Sequence, residues 1–105
     1  MTSEPTPLDE DQQLRRAAAA TELLEHPLLR EAFDALRERI GSELFASPVR
    51  DREGREQLWL MRRLLDAVEG NLQTLVKTGE LIHLERERKR SMLDRARDWV
   101  TGVLD

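Results

Sequence analysis

The stretch LWLMRRLLDAVEGNLQTL, residues 58–75, decides the fold of this chain of 105 residues. Its apolar residues recur at alternating intervals of three and four, at Leu58, Met61, Leu65, Val68, Leu72 and Leu75. That heptad spacing draws one seam along the side of an α-helix, and such a seam packs against another helix. The stretch therefore predicts an all-α fold in which the other helices pack against this one. Its seam is our candidate surface for oligomerisation.

The overall composition is typical of long helices rather than of a sheet. Charged residues make up 36% of the chain and aromatic residues 4%, and the length allows one domain at most. With a net charge of −4 the whole molecule does not attract nucleic acid, and without cysteine it has neither disulfides nor thiolate metal sites. No apolar run approaches the ~20 residues that span a bilayer, so we expect a soluble intracellular protein with no membrane partner.

The chain divides into three segments. We expect residues 1–8 to be a disordered tail, residues 9–79 a helical core that forms a hairpin and oligomerises, and residues 80–105 a charged helical extension. The first helix should start with Thr6 as its N-cap and Pro7 in the first helical position. Its apolar face is thin and rich in alanine, which permits close packing but buries little area: Leu14, Ala17, Ala18, Thr21 and Leu24.

The pair His26-Pro27 interrupts the pattern, because proline disfavours helix at the preceding residue. It marks either a kink or a new helix start with Pro27 in the first turn, and a second helix follows. Its apolar face is the predicted partner of the long helix in a hairpin: Leu29, Phe33, Leu36, Ile40 and Leu44. Pro48 ends this helix, and Asp51 is a suitable N-cap for the next one. Because the connection is so short, the two helices should be antiparallel neighbours.

The long helix begins at about Arg52 and keeps its seam register towards the C-terminus. Three of its seam positions are not apolar side chains, namely Gly79, Arg86 and Lys89, and the seam positions from Leu93 onwards are apolar again. One helix over residues 52–103 fits this pattern, and so does a break at Gly79 that folds the last segment back. We favour a break or bend, because glycine stands where the pattern asks for leucine.

No set of residues has the spacing of a catalytic or metal site. His26 and His83 are the only histidines, and nothing at helical spacing completes a metal set around either of them. The serines lie in no nucleophile motif, and nothing marks one carboxylate pair as an acid–base couple. We therefore expect no enzyme activity, no cofactor, no metal and no small-molecule substrate.

The densest run of charge lies at residues 85–90, ERERKR. Its basic residues are candidates for contacts with DNA phosphates or an acidic partner: Arg86, Arg88, Lys89 and Arg90. The alternative is a solvent-exposed helix face stabilised by ion pairs between residues four apart, such as Glu85 with Lys89. The alternative is favoured, because acids stand between the bases and no aromatic residue is interleaved.

Trp59 and Trp99 are the only tryptophans. Trp59 lies next to the seam, whereas Trp99 belongs to an apolar cluster near the C-terminus. On a small helical protein such residues fill either its own core or a protein–protein interface. The candidates for docking on a partner are Trp99, Val100, Val103 and Leu104.

The apolar area in this pattern is too small for a stable monomer. Leu60, Leu64 and Val76 widen the stripe on the long helix enough for it to contact two neighbours. We therefore predict a homo-oligomer. Charge is also uneven, since residues 1–46 carry ten acids and five bases whereas residues 47–105 carry eleven acids and twelve bases. The two ends can attract one another, within a subunit or between subunits.

Three segments taken together carry a resemblance to a family: residues 24–33 (LEHPLLREAF), residues 47–59 (SPVRDREGREQLW), and residues 72–81 (LQTLVKTGEL). Their order and spacing resemble short helical proteins of tailed bacteriophages, prophages and gene transfer agents. Such proteins are encoded among DNA-packaging and head-assembly genes. The resemblance covers about residues 20–81.

Within that setting the hairpin resembles the oligomerisation domain of a small terminase subunit. The resemblance implies a non-enzymatic ring that engages viral DNA and regulates the large terminase motor, in the cytoplasm of the bacterial host or in the virion. No helix-turn-helix module is visible ahead of the hairpin, so DNA contacts would fall to the arginines of the long helix, and the segment around Trp99 would dock on the motor. A virion structural or head-assembly protein, and a phage regulator that binds a host protein through its acidic surface, stay open as alternatives.

Overall fold

The computed structural model describes residues 9–104, and the side chains of residues 9–103. Its elements are three helices: α1 (Glu10–Glu25), α2 (Pro27–Ala46) and α3 (Arg52–Leu104). The described chain contains no strand, so the predicted all-α class is confirmed. Helix α3 has 53 residues and is about 80 Å long at 1.5 Å per residue. It sets the longest dimension of the molecule, which measures 81 × 41 × 24 Å.

Helix α1 begins at Glu10 because Asp9 caps it. The Asp9 backbone is extended, and its carboxylate accepts a hydrogen bond of 2.7 Å from the N–H of Gln12. The Gln12 side chain in turn accepts a hydrogen bond of 3.2 Å from the N–H of Asp9, which completes a capping box. The predicted N-cap, Thr6, was therefore wrong, and Asp9 is the N-cap. The spacing of three residues between Asp9 and Gln12 lets the two side chains accept hydrogen bonds from each other's backbone N–H groups. Thr6 and Pro7 lie outside the described residues.

The junction between α1 and α2 is a new helix start rather than a kink. His26 is extended, and its Nδ1 accepts a hydrogen bond of 3.2 Å from the N–H of Leu28, while Pro27 occupies the first turn of α2. A proline there loses nothing, since its missing N–H would have had no partner inside the helix. His26 is thus a capping residue.

The turn between α2 and α3 is held by polar contacts at both helix ends. Ser47 ends α2, and the Asp51 carboxylate accepts a hydrogen bond of 3.0 Å from the N–H of Gly54, as expected of an N-cap. The Arg55 guanidinium donates to the carbonyl oxygens of Leu44 and Ser47, both at 3.3 Å. These carbonyls lie at the C-terminal end of α2, where helix carbonyls have no partner within the helix.

Helices α1 and α2 follow one another along α3, and both run antiparallel to it. Asp11 meets Arg86 and Ala17 meets Gly79, so later residues of α1 meet earlier residues of α3. In the same way Arg37 pairs with Glu69, and Leu44 lies by Arg55. The molecule is therefore a helical hairpin whose first arm is divided at His26, and this confirms the predicted antiparallel arrangement.

The predicted break at Gly79 is wrong, because α3 continues through Gly79 as one helix. Gly79 is buried, and a Cβ atom built on it would overlap the Cβ of Ala17 in α1. Glycine costs a helix only ~1 kcal/mol relative to alanine, and here the lack of a side chain lets two backbones approach closely. The residue that looked like a helix breaker is a packing position.

The buried core is small and lies mainly between α1 and α3. Within residues 9–103 the buried apolar side chains are Ala17, Ala20, Ile40 and Ile82. The alanine-rich face of α1 thus packs closely and buries little area, but its composition differs from the prediction: Ala20 is buried, whereas Ala18 is exposed. No helix in the described part of the chain combines the length and the apolar character needed to cross a membrane.

Candidate self-association surface

The pair formed by α2 and α3 has one polar edge and one apolar edge. On the polar edge the Arg37 guanidinium pairs with Glu69, lies 3.5 Å from the Asp66 carboxylate, and lies 3.9 Å from Asp34. Arg62 adds a second cation at 3.2 Å from Asp66. Charges of opposite sign therefore close this edge within the chain itself.

The Arg37 guanidinium is also 5.9 Å from the centre of the Phe33 ring, within reach of a cation–π contact. The side chains of Arg37 and Glu69 each keep 26% of their surface exposed, so the ion pair is partly shielded from water. Periodicity alone placed Phe33 on the hairpin face, but it did not identify the arginine one turn later as part of the same contact. This contact could have been predicted from a basic residue at the border of the apolar face of α2 together with two acids, Asp66 and Glu69, on the partner helix.

The opposite edge is an open apolar groove of about 260 Å³. Residues of both helices line it: Leu36, Ile40, Met61, Leu64, Leu65 and Val68. No charged side chain lies among them, and we call this surface the apolar groove. Leu64 is 59% exposed, and Met61 and Val68 are each 52% exposed. Large apolar side chains this exposed mark an interaction surface when they are contiguous.

The predicted seam divides between the hairpin interior and the apolar groove. Leu58, Leu72 and Leu75 are partly buried within the hairpin. Leu65 is partly buried and lines the groove, whereas Met61 and Val68 lie in the groove and stay exposed. The reason is that α2 covers only one flank of α3, so the seam positions turned away from α2 remain uncovered. Leu60 and Trp59 extend the exposed apolar surface on α3, and Trp59 lies beside Glu56 and Arg63.

The hairpin face of α2 is mostly engaged. Ile40 is buried, and Leu29, Phe33 and Leu44 are partly buried against the rest of the hairpin. Leu36 is the exception, because it lies at the lip of the apolar groove and is exposed. The structure therefore brings most of the predicted face together and leaves one leucine available.

A second exposed apolar surface lies on the last part of α3. We call residues 87–104 the overhang, because α1 begins opposite Arg86 and every described side chain from His83 to Val103 is exposed. Trp99 is 71% exposed and Val103 65% exposed. Val100 is also exposed, whereas the side chain of Leu104 lies outside the described residues.

The candidate DNA contacts fall into two groups. Arg86 donates to the carboxylates of Glu10 at 3.2 Å and Asp11 at 3.1 Å, so it is held by the first turn of α1. These hydrogen bonds, first that of Asp11 and then that of Glu10, raise the pKa of Arg86 above its ordinary value. Arg88, Lys89 and Arg90 are exposed on the overhang.

In residues 9–103 no three or more histidine, cysteine or acidic side chains come together in an arrangement that could hold a metal ion. His83 is exposed on α3, and His26 accepts a backbone hydrogen bond at the start of α2.

Comparison with models of protein families, with curated proteins and with solved structures finds no match for this chain.

Proposed function

We propose that this chain is a non-enzymatic assembly protein that self-associates, and that it serves as a small-terminase-like component of phage DNA packaging. The observation that carries the proposal is the apolar groove, an uncharged surface at the open edge of a helical hairpin. In this role the protein would work in the cytoplasm of an infected bacterium or in the virion.

Support for self-association comes from the balance of buried and exposed surface. The accessible surface is 9443 Å², whereas a folded monomer of 12.2 kDa exposes about 6,100 Å². The radius of gyration is 22.9 Å, against about 13 Å for a compact domain of this length. A chain this extended stabilises itself by burying apolar surface against other chains.

Support for the role in packaging comes from the resemblance of residues 20–81 to small helical phage proteins, and from the exposed bases of the overhang. Arg88, Lys89 and Arg90 point to phosphate contacts of modest strength, because Glu87 and Asp94 reduce the local field. Trp99 and its apolar neighbours suit a contact with the large terminase subunit. DNA and the motor are thus the proposed partners beyond the protein itself.

The first test is the mass of the purified protein by light scattering on a sizing column, at low and at high salt. We expect a discrete assembly of more than two copies, which persists at high salt because apolar burial is not screened. A monomer at micromolar concentration would overturn the proposal. A dimer would remove the packaging role and favour the host-binding regulator.

A matched pair of variants tests whether the apolar groove carries the association. Leu64 and Leu81 both lie on α3 with comparable exposure, 59% and 66%, but only Leu64 lines the groove. We expect Leu64→Glu to weaken association at least about tenfold, as for a central interface residue, and Leu81→Glu to leave it unchanged. Equal effects of the two variants would show that the groove is not the interface.

Assembly of the expected size would then be titrated with duplex DNA and with the large terminase subunit. Binding of either, weakened for DNA by Lys89→Gln, is the result expected of a packaging component. An assembly that binds neither but is present in purified particles would point to a structural protein of the virion.

A further inference from the structure

The overhang has an apolar face that no other part of residues 9–104 covers. Residues 87–104 project about 27 Å beyond Arg86 at 1.5 Å per residue. Their apolar side chains recur at helical spacing on one face: Met92, Leu93, Ala96, Trp99, Val100 and Val103. Helical segments of this length are marginal in water by themselves, so an exposed apolar face at this place calls for a partner.

Basic and acidic side chains occupy different sides of the overhang. Arg88 and Arg95 lie two turns apart along one border of the apolar face, and Arg97 lies on the other border. Lys89 lies on the face itself, at its N-terminal end, two turns before Ala96. The three acids occupy a single row on the opposite side of the helix, at Glu87, Asp94 and Asp98. The overhang therefore presents an apolar surface with basic borders, which fits an apolar surface whose border is acidic.

The apolar groove has these properties. Its lining is uncharged, and α3 carries no charge along the groove side between Gln57 and Asn71, a distance of about 21 Å. The apolar face of the overhang, from Met92 to Val103, is about 17 Å long and fits within that length.

Acids lie at the end of the groove nearest the turn between α2 and α3. Glu43 follows the groove residue Leu36 by two turns of α2, and Glu53 precedes Gln57, on the groove side of α3, by one turn. Arg39 is the base beside them, at 3.4 Å from Glu43. Two carboxylates and one guanidinium leave this border acidic, complementary to the arginines of the overhang.

The overhang cannot reach the groove of its own chain. Leu64 and Ala96, the middle residues of the two surfaces, belong to the same uninterrupted helix and are about 48 Å apart along its axis. An occupant with this chemistry must come from a second copy.

We propose that the overhang of one copy docks in the apolar groove of a second copy, so that subunits associate head to tail. This inference rests on the proposed self-association and specifies its interface. Two different surfaces meet in such a contact, which makes it heterologous: the assembly closes into a ring if the rotation between neighbours permits, and otherwise extends as an open chain.

Single cysteines test this arrangement directly, since the natural chain has none. Leu64→Cys marks the groove, Ala96→Cys marks the apolar face of the overhang, and Ser91→Cys marks the exposed opposite face as a matched control. Pairs of full-length variants are mixed and treated with a short bismaleimide, and cross-linked dimers are resolved by mass. We expect the mixture of Leu64→Cys with Ala96→Cys to cross-link at least about tenfold more than the mixture of Leu64→Cys with Ser91→Cys.

Other results of the same experiment would overturn the inference while preserving self-association. Cross-linking of Leu64→Cys with itself would show a two-fold contact between grooves. Cross-linking of Ala96→Cys with itself would show that overhangs pair with each other. A monomer by light scattering would overturn both the inference and the proposed function.

A second measurement introduces negative charge on the apolar face of the overhang and leaves the hairpin unchanged. The double variant Trp99→Glu with Val100→Glu removes apolar contacts at residues that touch no other part of the described chain, so the hairpin should fold normally. We expect the dissociation constant of the assembly to rise at least about tenfold, with the helical signal of the hairpin retained. If the double variant has the same assembly mass as the parent protein at every concentration, the inference is overturned. The same holds if the double variant loses binding to duplex DNA but keeps the assembly mass.

Discussion

Gly79 of α3 lies directly against Ala17 of α1, so closely that a Cβ atom on Gly79 would overlap the Cβ of Ala17. The neighbour is a methyl group attached to the backbone, not the end of a long side chain, so it cannot move aside without moving α1. Ala17 belongs to the small buried core, together with Ala20 and Ile82. The stability of the pair α1–α3 therefore depends on the absence of a side chain at position 79.

Gly79→Ala should destabilise the protein although alanine is the better helix former. The gain in helix propensity is ~1 kcal/mol, and separating two tightly packed helices costs about 1–3 kcal/mol. Gly70→Ala is the control on the same helix, because a Cβ at Gly70 meets nothing within 4 Å. Urea unfolding at one protein concentration should show a lower free energy of unfolding for Gly79→Ala and an equal or higher one for Gly70→Ala.

The double variant Ala17→Gly with Gly79→Ala exchanges the two groups across the contact. We expect it to recover part of the stability lost in Gly79→Ala, because the overlapping methyl of Ala17 is gone. Strict additivity of the two single changes would contradict the close contact.

Arg37→Met should destabilise the hairpin by about 1–3 kcal/mol, because it leaves the partly buried carboxylate of Glu69 without its cation. Arg39→Met is the matched control, since the pair of Arg39 with Glu43 is exposed and joins residues four apart on one helix. Such a pair contributes about 0.3–0.5 kcal/mol. Thermal unfolding at constant protein concentration compares the two variants, and equal losses would show that the polar edge is not a special contact.

Arg55→Met should loosen the turn between α2 and α3. The carbonyl oxygens of Leu44 and Ser47 each lose the guanidinium as a donor, although the Leu44 carbonyl keeps the N–H of Ser47 at 3.3 Å. A hydrogen bond of this kind contributes about 1 kcal/mol net. Amide hydrogen exchange around residues 44–51 should become faster, with little change in α1. Arg52→Met in the same turn is the comparison, and faster exchange in that variant to the same extent would refute a role specific to Arg55.

Arg86→Gln should speed amide exchange in the first turn of α1, because Glu10 and Asp11 lose their common partner. The pKa of Arg86 is raised in the folded state, so its stabilisation is fully present below the unfolded-state pKa and is lost only as the pH rises through the higher folded value. The guanidinium therefore contributes equally between about pH 6 and pH 9. The difference from the parent protein should shrink with added salt. Arg88→Gln should have no such effect on α1, and a strong dependence of the Arg86→Gln effect on pH across that range would contradict this account.

Much of the fold follows from local sequence. The spacing from Leu58 to Leu75 is compatible with a helix and not with a strand, and Pro48 with Asp51 sets a short turn that makes neighbouring helices antiparallel. His26-Pro27 likewise marks the division of the first arm. These features depend on backbone preferences and on the period of the helix, which act within a few residues of the chain.

Other features arose only when the helices came together. Periodicity gives the angle of a residue on its helix, but it does not say which angles a neighbour covers. Met61 and Leu65 belong to one seam by spacing, yet α2 covers Leu65 more than Met61, and that difference creates the apolar groove. Gly79 was misread for the same reason, since the sequence shows that a side chain is missing but not that α1 lies there. The sequence by itself determined the helices and their order, whereas the tertiary structure decided which faces are closed and which stay open for a partner, because coverage depends on residues that are distant in the chain.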